Sequence, residues 1–163
     1  MRTFTTTVVL LLGLAACRQS QRPEPVLISL NYTHHDIQLQ FDTLYNHQQT
    51  QAGVYNGLLE QALANCHSDK TPADTMAVQD VSSSMYLNFT TGQYDCVTTT
   101  TFKFSDGIIT AAGVFNLTPG DTIAPDHDFP ITGGSGAYQH IYGTYTRKYE
   151  DGVYRVELRY FDR

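Results

Sequence analysis

The alternation of apolar and polar positions is the clearest signal in this chain. Ile37-Gln38-Leu39-Gln40-Phe41-Asp42 alternates without a break, which puts Ile37, Leu39 and Phe41 on one face of a half-buried strand. Residues 94–104 are rich in β-branched and aromatic side chains and run into Asp106-Gly107, a strong turn dipeptide, after which Ile108 to Leu117 reads as the returning strand. The pattern recurs near the C-terminus, where Ile141 to Tyr149 and Val153 to Phe161 flank Glu150-Asp151-Gly152 and predict a second hairpin. Between the first strands and Met76 the chain is polar, with one helix-compatible run, Leu58 to Ala64, long enough for about two turns that would depend on packing against a sheet. The rest of that stretch, including His67 to Thr75, reads as loop. Roughly eight short strands in one domain predict an all-β barrel or sandwich.

The last strand offers two faces. Tyr154, Val156, Leu158 and Tyr160 share one, and Arg155, Glu157 and Arg159 share the other. In a small barrel an aromatic lining suits an apolar ligand and an Arg/Glu lining suits a charged one; an aromatic core with charges in solvent is the plainer alternative. Tyr138, Tyr142, Tyr154, Arg155 and Arg159 are therefore candidate cavity residues.

The N-terminus sets the location of the rest. Arg2 and a polar Thr stretch precede an apolar run, Val8 to Ala16, too short to span a bilayer. Leu14-Ala15-Ala16-Cys17 resembles the bacterial lipobox, which implies removal of residues 1–16, lipidation of Cys17 and an exported protein tethered in the cell envelope, at the outer membrane or periplasmic face. The anchor would be the only membrane contact. Residues 17–25, with Arg-Gln-Ser-Gln-Arg-Pro-Glu-Pro after the cysteine, read as a flexible tether, and residues 26–163 as the barrel domain.

Composition narrows the partners. The formal net charge is −6, which disfavours nucleic acid, although five of the ten Lys+Arg fall after residue 146. With Cys17 lipidated, Cys66 and Cys96 remain, and an exported chain with an even remainder invites a Cys66–Cys96 disulfide; two buried thiols packed as small hydrophobes are the alternative. No zinc spacing surrounds either cysteine, so no metal site is expected there. His34-His35-Asp36 resembles part of a metal cluster, but strand neighbours point to opposite faces, so a site would need His127 or His140 to converge.

Ile131-Thr132-Gly133-Gly134-Ser135-Gly136-Ala137-Tyr138 follows Asp126 and precedes Tyr142-Gly143. Consecutive glycines allow an abrupt end to a strand and close backbone approach. The run lacks the spacing of a dinucleotide loop, a Walker loop or a nucleophile elbow. It resembles the signature of the allene oxide cyclase and dirigent proteins, a strand ending in a Thr-Gly-Gly-Ser/Thr-Gly run followed by an aromatic and a Tyr/Arg-Gly, with an acid upstream. Gly133, Gly134, Gly136 and Gly143 carry the likeness, which extends over about residues 94–161. It implies an eight-stranded antiparallel, calycin-like barrel with a cavity at one mouth, no cofactor, and a homotrimer. The family's Glu-Ile-Asn near the first strand has Ser29-Leu30-Asn31 as its nearest counterpart, without the acid.

Asp126 and Asn31 are the catalytic candidates, a carboxylate at a barrel mouth being able to serve as acid or base once desolvated. Three functions follow: a lipid-anchored barrel binding a small hydrophobic or phenolic ligand, a cofactor-free isomerase or cyclase, or a structural or interaction lipoprotein. The missing acid ranks binding first.

Overall fold

The computed structural model describes residues 24–44 and 49–162. The signal segment, Cys17 and most of the tether lie outside them. The chain forms β1 (Val26–Thr33), a 3₁₀ turn (His34–Asp36), β2 (Ile37–Thr43), β3 (Gln49–Gln51), β4 (Val54–Tyr55), β5 (Gly57–Ser68), β6 (Thr71–Asn88), β7 (Gln93–Lys103), β8 (Gly107–Leu117), β9 (His127–Gly136), β10 (Tyr142–Glu150) and β11 (Val153–Phe161). From β5 onward each strand pairs antiparallel with the next, and β1 pairs with β11. Both β1 and β2 pair with β5, through Asn31–His67 and through Ile37–Thr43 against Leu58–Ala64. β1 and β2 thus act as one bent strand, and the sheet closes into the expected eight-stranded antiparallel barrel.

The bend has a local cause. Asp36 accepts hydrogen bonds from the Thr33 backbone N–H (2.8 Å) and hydroxyl (2.9 Å), capping the single 3₁₀ turn. His34 and His35 therefore sit on a turn with ring centroids 3.8 Å apart and not on opposite faces of a strand. His67 Nε2 lies 3.5 Å from Asp36 Oδ1 and ties the turn to β5.

Three expectations are corrected. Leu58 to Ala64 is strand, not helix: Leu58, Glu60, Ala62, Ala64 and Cys66 turn inward with period two while Leu59, Gln61 and Asn65 face out. Pairing with β6 on one side and β2 on the other overrides a weak local helix preference. His67 to Thr75 is not loop but the end of β5, a two-residue turn at Asp69-Lys70, and the start of β6, with register irregularities at Cys66/His67 and His67/Ser68. There is also no disulfide. Cys66 and Cys96 are free and buried, because Met85 pairs with both Leu58 and Cys96, and Cys66 stands roughly eight residues further along β5, on the order of 25 Å away at the rise of a strand. Each thiol donates to a carbonyl on its own strand, Ala64 and Tyr94 respectively, and burial pushes both up to about 12.

The two predicted hairpins are present as β7–β8 and β10–β11, and the glycine run ends β9. Gly136 has φ 63°, and a side chain at Gly134 would strike the Tyr138 carbonyl, so the chain turns where only glycine fits without strain. Gly133 has open space around it, and Gly143 lies close against the backbone of Arg159 on β11.

The interior is layered. An apolar cluster containing Phe102, Ile109, Phe129, Tyr145 and Leu158 fills one end. A smaller one of Val54, Met85, Tyr94 and Cys96 fills the other. Between them the inward positions of β6 and β7 are polar apart from Val81: Gln79, Ser83, Thr98 and Thr100 are all buried.

Candidate functional site

A cavity of about 430 Å³ occupies this middle layer, within the size range of small-molecule sites. Tyr32 from β1, Glu60 and Ala62 from β5, Val81 from β6, Phe115 from β8, His127 from β9, Arg147 and Tyr149 from β10 and Tyr154 from β11 line it. Leu39 (52% exposed) and Ile123 (38%) also contribute, the latter from the 118–126 connection with Thr122 and Ala124. The alternating β2 is less buried than its pattern predicts: Ile37 and Leu39 meet the cavity instead of packed core, and Phe41 is exposed.

One wall is an aromatic stack. Tyr32 stacks on Tyr154 at 4.8 Å, and Tyr149 lies 4.6 Å from Tyr154. The Arg147 guanidinium sits 4.6 Å from the Tyr154 ring centroid, a cation–π contact. Burial opposes the charge on Arg147, yet the surrounding Tyr32, Tyr145 and Tyr154 hold it above the ordinary arginine value. No carboxylate among the described residues lies within ion-pair distance of it, and its Nε has no hydrogen-bond partner.

The neighbouring wall holds His127, the register partner of Arg147. His127 packs against both Phe115 (5.1 Å) and Phe129 (4.5 Å), and its Nδ1 lies 2.9 Å from the Pro125 carbonyl, to which it donates. Burial depresses its basicity, with the Pro125 contact opposing, so at neutral pH the ring is neutral with Nε2 as an acceptor. Across β5, β6 and β7, Glu60 pairs with Ser83 and Ser83 with Thr98; the Ser83 and Thr98 hydroxyls lie 2.9 Å apart. Burial raises the Glu60 carboxyl above its usual range, opposed by a hydrogen bond to Ser83 and by the Arg147 charge. Gln79 spans the interior, its amide nitrogen donating to Thr100 Oγ1 (3.0 Å) and Tyr145 Oη (3.2 Å), while its carbonyl oxygen has no partner. Burial lifts Tyr145 to about 12.

Of the cavity and catalytic candidates singled out from sequence, only Tyr154 lines the cavity. Tyr138 packs in the apolar end cluster beside Phe104 and Tyr160. Tyr142 stacks on Phe161 and is exposed. Arg155 and Arg159 are on the outer face, beside Glu150 and Glu157 at 3.5 Å, because the Tyr154 register of β11 points inward. Asp126 is exposed and accepts the Tyr149 backbone N–H (2.9 Å), and Asn31 donates to Asp69 (2.7 Å); neither lines the cavity. His34 does, with His127, but no three His, Cys, Asp or Glu side chains among the described residues are grouped to hold a metal ion. Glu60, Gln79 and Arg147 were not among the sequence candidates, and His127 was named only as a would-be partner of the His34-His35-Asp36 cluster. The one visible signal was Tyr145-Thr146-Arg147-Lys148-Tyr149, which places Arg147 in phase with two tyrosines.

The fold and the site define a closed antiparallel barrel with an aromatic, partly polar interior cavity. Among solved structures it is similar to one titled pyocyanin demethylase, with a TM-score of 0.53 and 18% identity over 83% of this chain and 100% of that one. The likeness is one of fold. No protein-family model matches the chain, and no curated protein matches it.

Proposed function

We propose that the barrel binds a small aromatic or phenolic molecule in its interior cavity. The observation that carries this reading is the cavity of about 430 Å³, walled by stacked tyrosines and also lined by the polar side chains of Glu60, Gln79, His127 and Arg147. Aromatic walls suit a ligand's ring, and a few convergent polar groups fix its orientation. A structural barrel would fill this layer with its own side chains. The likeness to the allene oxide cyclase and dirigent signature, and the barrel shared with a protein titled pyocyanin demethylase, support a role toward small molecules. The lipobox-like Leu14-Ala15-Ala16-Cys17 supports an exported, lipid-anchored protein.

A second reading, cofactor-free proton transfer on the bound molecule, is favoured by Glu60. Its raised carboxyl and the neutral His127 ring share one cavity, the pairing of acid and base that isomerisation needs.

The test is 2-naphthol, a neutral phenolic probe, titrated against the wild type and Ala62→Phe. The phenyl ring would occupy the cavity from a strand position that suits aromatic residues. Binding to the wild type and a loss of at least about tenfold in the variant, with unchanged circular dichroism, are expected. Undiminished binding by the folded variant would place the probe elsewhere and overturn the reading.

A further inference from the structure

We propose that the cavity selects a singly charged aromatic anion, an aromatic carboxylate in the simplest case, with Arg147 as the residue that binds its charged group. This rests on the reading of the barrel interior as a ligand site and names the chemistry that site takes.

A guanidinium taken out of water needs compensation, normally from a carboxylate. Arg147 has none within ion-pair distance among the described residues: it lies over the Tyr154 ring, is close enough to Tyr32 to feel its hydroxyl, and leaves Nε without a partner. Aromatic faces and hydroxyls offset part of the penalty. An anion arriving with a planar oxygen pair offsets the remainder, because the guanidinium fork matches a carboxylate in two parallel hydrogen bonds. The rings of Tyr32 and Tyr154, stacked at 4.8 Å beside the guanidinium, provide the surface on which the ligand's own ring packs.

The remaining groups of the cavity limit the charge. Facing Arg147 are Tyr32 from β1, Glu60 from β5, His127 from β9, Tyr145 and Tyr149 from its own strand and Tyr154 from β11, with His34 from the turn before β2. Only Glu60 among them carries negative charge in its ordinary ionised form. The cavity therefore offers one permanent cation, and a dianion such as a phosphate monoester would bring a second charge with no partner. With Glu60 protonated the site is net positive and can donate a hydrogen bond from the carboxyl. With Glu60 ionised it already has a neutralising anion, so uptake of the ligand anion is coupled to uptake of a proton.

The experiment is calorimetric titration of 2-naphthoate and its neutral isostere 2-naphthamide into the wild type, Arg147→Met and Arg147→Lys, each checked for fold by circular dichroism and thermal melting. The wild type is expected to prefer the anion by about tenfold or more, the scale of a charge-assisted hydrogen-bond pair. Arg147→Met should abolish the preference, the anion losing at least about tenfold more affinity than the amide, and Arg147→Lys should keep only part of it. Anion affinity should also rise as the pH is lowered through the Glu60 transition while amide affinity stays flat. Equal affinity for the two probes, or a preference that survives Arg147→Met, overturns the inference and leaves the ligand site standing. Failure of both probes to bind overturns the inference and the ligand site together. If Arg147→Met does not fold, Arg147→Lys decides the matter through the same anion-to-amide ratio.

Discussion

Arg147 and Glu60 are charged residues on strands that otherwise point apolar or hydroxyl side chains inward, and both owe their position to register. Arg147 is in phase with Tyr145 and Tyr149, and Glu60 with Ala62 and Ala64. The consequence for Glu60 is measurable in stability. Burial holds its folded-state carboxyl above the ordinary value of 4.5, so the folded protein binds the proton more tightly than the unfolded chain. Glu60 therefore costs nothing below that ordinary value, and the protein loses stability as the pH rises through the folded-state transition. Glu60→Gln should be more stable than wild type at pH 7 to 8, and the two urea midpoints should converge below the ordinary carboxylate value; a wild type more stable at pH 8 would refute the burial. At this scale the sequence was least legible. In Thr98-Thr99-Thr100-Thr101 both faces of the strand carry the same residue, so nothing distinguishes the buried Thr98 and Thr100 from the exposed Thr99 and the half-buried Thr101. Arg155 and Arg159 were as plausible as Arg147 until the inward face of β11 was known.

At the scale of elements, hairpins with turn dipeptides were legible and the long β5–β6 pair was not. Asp106-Gly107 and Asp151-Gly152 announce their turns, with Asp151 at φ 52° and Gly152 at φ 83°. By contrast Leu58 to Ala64 combines good helix formers with period-two burial visible only once β2 and β6 lie on either side. The cysteines failed for the same reason: pairing them required knowing how far apart β5 and β7 place their inward positions. Both thiols should resist an aromatic disulfide reagent in the native state and react fully in denaturant without reductant, since both are buried, free and shifted to about 12. A denatured, unreduced chain with no reactive thiol at Cys66 or Cys96 would show a disulfide and contradict the strand register.

For the whole molecule, strand count and alternation were enough to predict an all-β domain, and the glycine signature narrowed that to a closed eight-stranded barrel. Closure depends on a detail that no pattern marks, the capped 3₁₀ turn that bends β1 into β2 so that both reach β5. The layered interior follows from closure: apolar clusters at both ends and polar positions between them leave a cavity that the chain does not fill. The central claim is that this cavity is where a small aromatic molecule binds. It is tested most directly by mapping backbone amide shifts of the isotope-labelled barrel on addition of 2-naphthol. The account predicts perturbations concentrated at residues 60–62, 79–83, 98–100, 145–149 and 154, on strands around the whole circumference. Shifts confined to outward positions such as Val97 and Val114, both exposed, with the interior amides unmoved, would contradict it.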